Sequence, residues 1–262
     1  MQPILNHETY GQSQRTALLL VHPLGTDLRF WEECVAQWQA RFYCIAVDLQ
    51  AAGKSPRPEV PVTIPGHAAD LERLRAYLGV ESVVPIGCAL GGMVAASYAA
   101  RYPEPTRALV MTNPGLGSTE AAKEMLRKRV ETLRTSGVGA LLPAAADRAF
   151  LNLPHDERYH RHVERFAAQD PETFARSVLG FVDADITGDL PRIRCPMLVV
   201  SGEHDVLMPA DSAERITALA PQAECTTMSD VAHFLPFQAP ERFAPLVTAF
   251  LDRVLAPHAV GT

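Results

Sequence analysis

Val83-Val84-Pro85-Ile86-Gly87-Cys88-Ala89-Leu90-Gly91-Gly92-Met93 is an apolar, strand-like run that enters a glycine-rich turn and leaves it in a helical pattern. A chain that turns from strand to helix within one residue folds back so tightly that the positions two before and two after the tip have little room for a side chain. Gly87 and Gly91 meet that demand and put Ala89 at the tip, while Gly92 lets the following helix lie close on the sheet. Pro85 conflicts with a central strand, because proline removes a ladder donor, and a bulge is expected there.

Short runs rich in branched residues recur on both sides of this segment: Thr16 to His22, Phe42 to Asp48, Ser82 to Ile86, Ala108 to Thr112, Met197 to Ser201 and Glu224 to Met228. Between them lie segments of helical period. Leu71, Leu74 and Leu78 share one face, as do Phe243, Val247, Phe250, Leu251 and Val254. This alternation predicts an α/β fold with a mostly parallel sheet flanked by helices. Ile4 to Tyr10 is a weaker strand candidate, short and polar. From Ser118 to Thr187 the alternation stops, and breaks at Ser136-Gly137, Leu153-Pro154 and Asp170-Pro171 predict about four helices. The expected organisation is a core of residues 1–117 and 188–262 interrupted by a helical cap over 118–187.

The central turn resembles the nucleophile elbow of the α/β-hydrolase superfamily, in particular its 3-oxoadipate enol-lactonase and small carboxylesterase branch. Members of that branch usually read Gly-x-Ser-x-Gly-Gly, where this chain reads Gly87-Cys88-Ala89-Leu90-Gly91-Gly92. The resemblance covers nearly the whole chain. His22-Pro23-Leu24-Gly25-Thr26-Asp27 is similar to the loop that donates one backbone N–H to the family's oxyanion hole, which implies Leu24 as that donor and the N–H of Leu90 as the second. Trp31 follows as it commonly does in enol-lactonases, which implies a substrate contact. Asp48-Leu49-Gln50-Ala51-Ala52-Gly53-Lys54-Ser55 matches only in part, because the family's usual Arg-Gly-His-Gly stretch is replaced.

Leu198-Val199-Val200-Ser201-Gly202-Glu203-His204-Asp205 resembles the strand and loop that carry the catalytic acid, with Asp205 at the matching position. Met228-Ser229-Asp230-Val231-Ala232-His233-Phe234 resembles the loop of the catalytic histidine, His233. Together they complete the order nucleophile position, acid, base. The chemistry requires Asp205 to accept the imidazole Nδ1–H, so that Nε2 faces the nucleophile position or a water occupying it.

Other candidates carry blander expectations. His155, His160 and His162 lie in a polar stretch, and His160 and His162 would not share a helical face, so no metal is expected. His22 is expected to make structural hydrogen bonds, Glu203 to be solvated, and Cys88 to be a buried thiol turned away from His233. No organic cofactor is implied.

A methyl group cannot attack a carbonyl, so Ala89 closes the covalent acyl-enzyme route. Three readings are compatible with that: a serine hydrolase whose nucleophile has been replaced, acting on a small or medium ester, lactone or related carbonyl compound; an enzyme that uses His233 and Asp205 as a general base in a hydrolase, lyase or decarboxylase; or a ligand-binding protein on a borrowed fold.

Composition agrees with a soluble globule, and with 262 residues the chain can bury roughly three quarters of its surface. A formal charge of -6 provides no basic surface for phosphate backbones, so nucleic acid is not an expected partner; a small-molecule substrate is. The five cysteines, Cys34, Cys44, Cys88, Cys195 and Cys225, are odd in number and scattered, which favours a reducing compartment, the cytoplasm. Met1-Gln2-Pro3 opens no leader pattern, and no apolar run approaches the about 18 residues of a membrane span. Nothing in the sequence specifies an oligomeric state.

Overall fold

The computed structural model describes residues 3–209 and 211–256. Met1 and Gln2, the start of the stretch read as leaderless, lie outside the described residues. The first half of the chain runs β1 (His7–Tyr10), β2 (Ala17–Val21), α1 (Glu32–Trp38), β3 (Tyr43–Val47), α2 (Ile64–Tyr77), β4 (Val83–Cys88), α3 (Leu90–Arg101) and β5 (Leu109–Thr112). Four helices follow without a strand: α4 (Glu120–Ser136), α5 (Ala144–Ala149), α6 (Glu157–Ala167) and α7 (Pro171–Leu179). The alternation resumes with β6 (Met197–Gly202), α8 (Ser212–Leu219), β7 (Ala223–Met228), α9 (Leu235–Gln238) and α10 (Pro240–Leu255).

The seven strands form one sheet in the order β1-β3-β2-β4-β5-β6-β7. Every neighbouring pair is parallel except the edge pair β1–β3, so the polar stretch near the N-terminus does become a strand, over His7–Tyr10. Both faces are covered. Leu18, Leu20, Ala46, Ile86, Val110 and Val200 point into one apolar cluster, and Leu19, Val21, Ile45, Val47, Met111 and Val199 point into the other. The period of two along each strand delivers successive side chains to opposite cores, and this is why these strands read as continuous apolar runs. The helical faces legible in the sequence also pack as expected, since Leu71 and Leu74 of α2 and Phe243, Val247, Phe250 and Leu251 of α10 are buried.

Pro85 causes no bulge. The β2–β4 register is continuous, from Ala17 opposite Val83 to Val21 opposite Gly87. The Val83 N–H is directed away from β2, to the Pro105 carbonyl at 2.7 Å. Alternation puts the Pro85 nitrogen on that same side, where the β5 ladder begins only at Ile86. The missing donor therefore falls in a gap between pairings.

The breaks between β5 and β6 have local causes. The Thr119 hydroxyl caps α4 by accepting from Ala122 N–H at 3.2 Å, and Asp170 caps α7 by accepting from Thr173 N–H at 2.9 Å, with Pro171 in the first turn. α4 stops at Gly137, whose φ of 76° suits glycine. None of the described helices is long and apolar enough to cross a membrane.

Candidate active site

β4 ends at Cys88 and α3 begins at Leu90, so one residue makes the turn. Ala89 has φ 50° and ψ −112°, a conformation outside the allowed basins of an L-residue. Such a backbone costs about 1 to 3 kcal/mol. It is held from both sides: the Ala89 N–H donates to the Thr112 carbonyl at 2.8 Å, and the Ala89 carbonyl accepts from the Met93 N–H at 3.2 Å. Burial of Val84, Ile86 and Val94 around the turn, about 1.5 to 3 kcal/mol for each side chain, outweighs the strain. The glycines are required by contact. A Cβ on Gly87 would lie 2.1 Å from the Gly91 carbonyl oxygen, and one on Gly91 would lie 2.2 Å from that of Val21. Gly92 is less tightly enclosed, its nearest such contact being 3.3 Å.

His233 follows β7 and Asp205 follows β6, at the same edge of the sheet as the turn. The His233 Nδ1 lies 3.1 Å from both Asp205 carboxylate oxygens. A carboxylate only accepts, so Nδ1 carries the proton and Nε2 is the ring's acceptor. Both side chains are about as secluded as core groups, 7% exposed each. Asp205 is in turn fixed by the Leu207 N–H, which donates to Oδ1 at 2.8 Å.

The histidine loop is anchored along its backbone. The His233 N–H donates to the Ala149 carbonyl at 3.2 Å. Gln238 accepts the Ala232 N–H at 2.9 Å and donates to the Ala149 carbonyl at 2.8 Å. Asn113, the residue after β5, does more. Its Nδ2 donates to the carbonyls of Ala232 and His233 at 2.8 and 2.7 Å, and its Oδ1 accepts the Gly202 N–H at 2.6 Å. One buried amide thus ties the histidine loop to the strand that leads to Asp205. Sequence reasoning missed Asn113; the signal was a polar residue closing the apolar run Leu109–Thr112 at the carboxyl edge of the sheet. Asn113→Ala is expected to lower stability by about 3 kcal/mol, because it leaves buried backbone groups without partners and places alanine at a φ of 45°. Chemical denaturation measures this, and a loss under about 1 kcal/mol would show the amide to be dispensable.

Ala89, Leu90, Leu24 and His233 line one cavity of about 450 Å³. Most of its other wall is apolar, with Met93, Phe166, Phe174 and Phe181, while Arg129 and Arg148 add two guanidinium groups. Among the described residues no protein acceptor takes the N–H of Leu24 or Leu90, and the latter is the first of the free donors at the start of α3. The loop bearing Leu24 is shaped by His22, whose Nδ1 donates to the Pro23 carbonyl at 2.9 Å and whose Nε2 accepts the Leu49 N–H at 3.1 Å. Burial holds the His22 pKa below its ordinary value, which agrees with a neutral, structural ring. Asp48, in the partly matched segment, accepts from the Leu28 and Lys54 N–H groups and from Asn6 Nδ2, and so closes a neighbouring loop rather than the cavity.

Two sequence readings need correction. Trp31, expected to meet substrate, does not line this cavity: it is fully buried against Phe30, Trp38 and Phe243. A 3-10 turn over Leu28–Trp31 rolls the indole inward onto α1 and α10. His162, read as part of a polar stretch, is buried and lines the cavity. Tyr159, His162 and Phe166 are spaced at i, i+3 and i+7 and form the buried face of α6, a pattern the surrounding charges obscured. Burial, with His233 and Arg165 nearby, pushes the His162 pKa down to about 4. His155 and His160 are exposed, and His155 stacks on Tyr159 at 3.8 Å.

The Cys88 thiol is buried, and its Sγ lies 3.6 Å from the backbone carbonyl of His233; burial pushes its pKa well up, so thiolate is scarce. Glu203 is exposed and accepts the Asp230 N–H at 3.0 Å. Glu203, His204 and Asp230 bring potential ligand atoms within 4.8 Å of one another at the surface. All five cysteines are free.

The family model for the alpha/beta hydrolase fold matches residues 16–240. The chain is an α/β hydrolase. It is 25% identical over 252 residues to a 3-oxoadipate enol-lactonase of Acinetobacter baylyi, covering 95% of this chain and 93% of the relative. A thermophilic esterase from Thermogutta terrifontis superposes with a TM-score of 0.88 at 28% identity, over 95% of this chain and 93% of the esterase. An enol-lactonase from Burkholderia xenovorans shares the fold with a TM-score of 0.88 at 24% identity, over 94% of this α/β hydrolase and 96% of its own chain.

Proposed function

We propose that this α/β hydrolase is built for acyl transfer from a small or medium ester or lactone, and that Ala89 in place of the nucleophile silences its covalent step. The carrying observation is that a strained one-residue turn, a histidine anchored from behind by a buried carboxylate, and two residues with free backbone N–H groups all border one cavity. In this reading Asp205 holds the imidazole tautomer, His233 is the base, and the N–H groups of Leu24 and Leu90 receive the oxyanion. Residues 118–187 act as a cap that closes the cavity, and the esterase and lactonase among its relatives support the bond type. Five free thiols agree with a cytoplasmic setting. Restoring a hydroxyl with Ala89→Ser and assaying aryl esters and lactones tests the proposal; a serine form no faster than the alanine form would sink it.

A second reading draws on the same pair. With no hydroxyl to serve, His233 Nε2 is free to act as general base on a water in the cavity, which gives slow hydrolysis without an acyl-enzyme. In that case the alanine form itself turns over ester at a rate that His233→Ala reduces by about 10²-fold or more, measured with the same aryl esters. Equal rates for both forms would eliminate it.

A further inference from the structure

α6 is fastened to α1 by ion pairs: Arg158 and Arg161 meet Glu33, and Arg165 meets Glu32. These pairs fix how α6 is rotated, and His162 and Phe166, about one turn apart, face the cavity of Ala89 and His233. His162 also lines a second, more polar cavity of about 360 Å³ between α6, α7 and the loops that carry Asp27 and Lys54. Among the described residues, His162 and Phe174 alone border both, so the imidazole stands where an apolar space gives way to a polar one. The His162 side chain is wedged among Phe150, Phe166 and Phe234, with ring centroids 5.6, 5.7 and 4.9 Å away. The residue is only 6% exposed. Among the described residues neither ring nitrogen has a protein hydrogen-bond partner, yet neither is sealed from open space. The other buried histidines differ. His22 and His233 are bonded within the protein, while His67 borders neither cavity and its unpartnered Nδ1 is sealed. A phenylalanine in place of His162 would pack among the same rings with no polar group to satisfy, whereas a buried imidazole is costly unless a ligand or water completes its hydrogen bonds. With its pKa pushed down to about 4, the ring is neutral near pH 7 and offers one N–H donor and one acceptor.

We infer that His162 is a specificity-determining contact of this cavity, donating its ring N–H to an uncharged oxygen substituent, a ketone or a hydroxyl, on the aliphatic part of the ester or lactone. A site built around a buried hydrogen-bonding group rejects the analogue that cannot complete it, because the group is then left unpaired. The plain hydrocarbon of such a substrate lies against Met93, Phe166 and Phe181, and its oxygen sits at the boundary with the polar cavity. The inference rests on the proposed function only for the identity of the reacting end. The oxygen contact follows from the imidazole alone.

The test uses the chain as it stands, in which the covalent step is closed. Titration calorimetry compares the binding of ethyl hexanoate with that of its β-, γ- and δ-keto counterparts, which place the oxygen at successive points along the same chain. The best-placed ketone is expected to bind about fivefold or more tightly than ethyl hexanoate. His162→Phe and His162→Leu should each bring that ratio to about one, and His162→Gln, which returns an N–H, should keep a larger part of it. Circular dichroism checks that each variant is folded, and either apolar variant suffices alone. Equal binding of plain and keto esters, no binding of any of them, a preference that survives the apolar substitutions, or a glutamine form no more selective than the leucine form overturns the inference. The outcome separates from that of the hydrolase reading. Ketone preference without hydrolysis by the Ala89→Ser form leaves the contact standing and defeats the hydrolase, and hydrolysis without ketone preference does the reverse.

Discussion

Ala89→Ser is expected to switch on hydrolysis of short aryl esters by a factor on the order of 10³ or more over the chain as it stands, because loss of the serine from a complete triad costs on the order of 10⁶ in turnover. The substitution adds a single oxygen. The backbone strain at φ 50° is already present with alanine, so serine introduces none, and the Ala89 methyl already borders the cavity. The new Oγ would meet a histidine whose Nδ1–H is held by Asp205 at 3.1 Å and whose Nε2 is therefore ready to accept its proton. The Leu24 and Leu90 amides carry no protein acceptor that an oxyanion must displace. Burst kinetics with a nitrophenyl ester would reveal the acyl-enzyme directly, and His233→Ala in the serine form should return the rate to the alanine baseline. Full activity without His233 would remove the imidazole from the mechanism.

In the same serine form, Asp205→Asn is expected to lower kcat by about 10⁴-fold with little change in substrate binding. The reason lies in the Leu207 N–H, which donates to Asp205 Oδ1 at 2.8 Å. An asparagine must keep its carbonyl oxygen there, which turns its amide NH₂ toward His233. Nδ1 then has to accept, the proton moves to Nε2, and the ring presents a donor to a hydroxyl that needs a base. The side chain is nearly isosteric, so the protein should stay folded. Retention of more than about a tenth of the activity would show that the carboxylate does not set the tautomer, since a reversed tautomer costs orders of magnitude more.

How much of this was legible before folding varies with the range of the interaction. The turn at Ala89 could be read because its steric demand is met by Gly87 and Gly91, close neighbours in the chain. The Asp205 and His233 positions were legible from their loops, though their 3.1 Å contact joins residues 28 apart. Trp31 misled because its motif says where it lies in the chain and not which way a 3-10 turn rolls it; packing against Phe243 decided that. Asn113 escaped notice because its function is a bond to a carbonyl 120 residues away. Pro85 looked like a defect because the sequence does not reveal where the neighbouring ladder starts.

The sequence by itself determined the parallel α/β architecture, the tight turn centred on Ala89, and the order in which Asp205 and His233 follow it along the chain. These follow from period, glycine spacing and residue chemistry, all properties of short segments. Only the tertiary structure decided that His162, Arg129 and Arg148 face the same cavity as Ala89 and that Asn113 clamps the histidine loop. Those outcomes depend on which helix faces meet across the inserted segment and on backbone groups whose free valences exist only once the sheet has assembled.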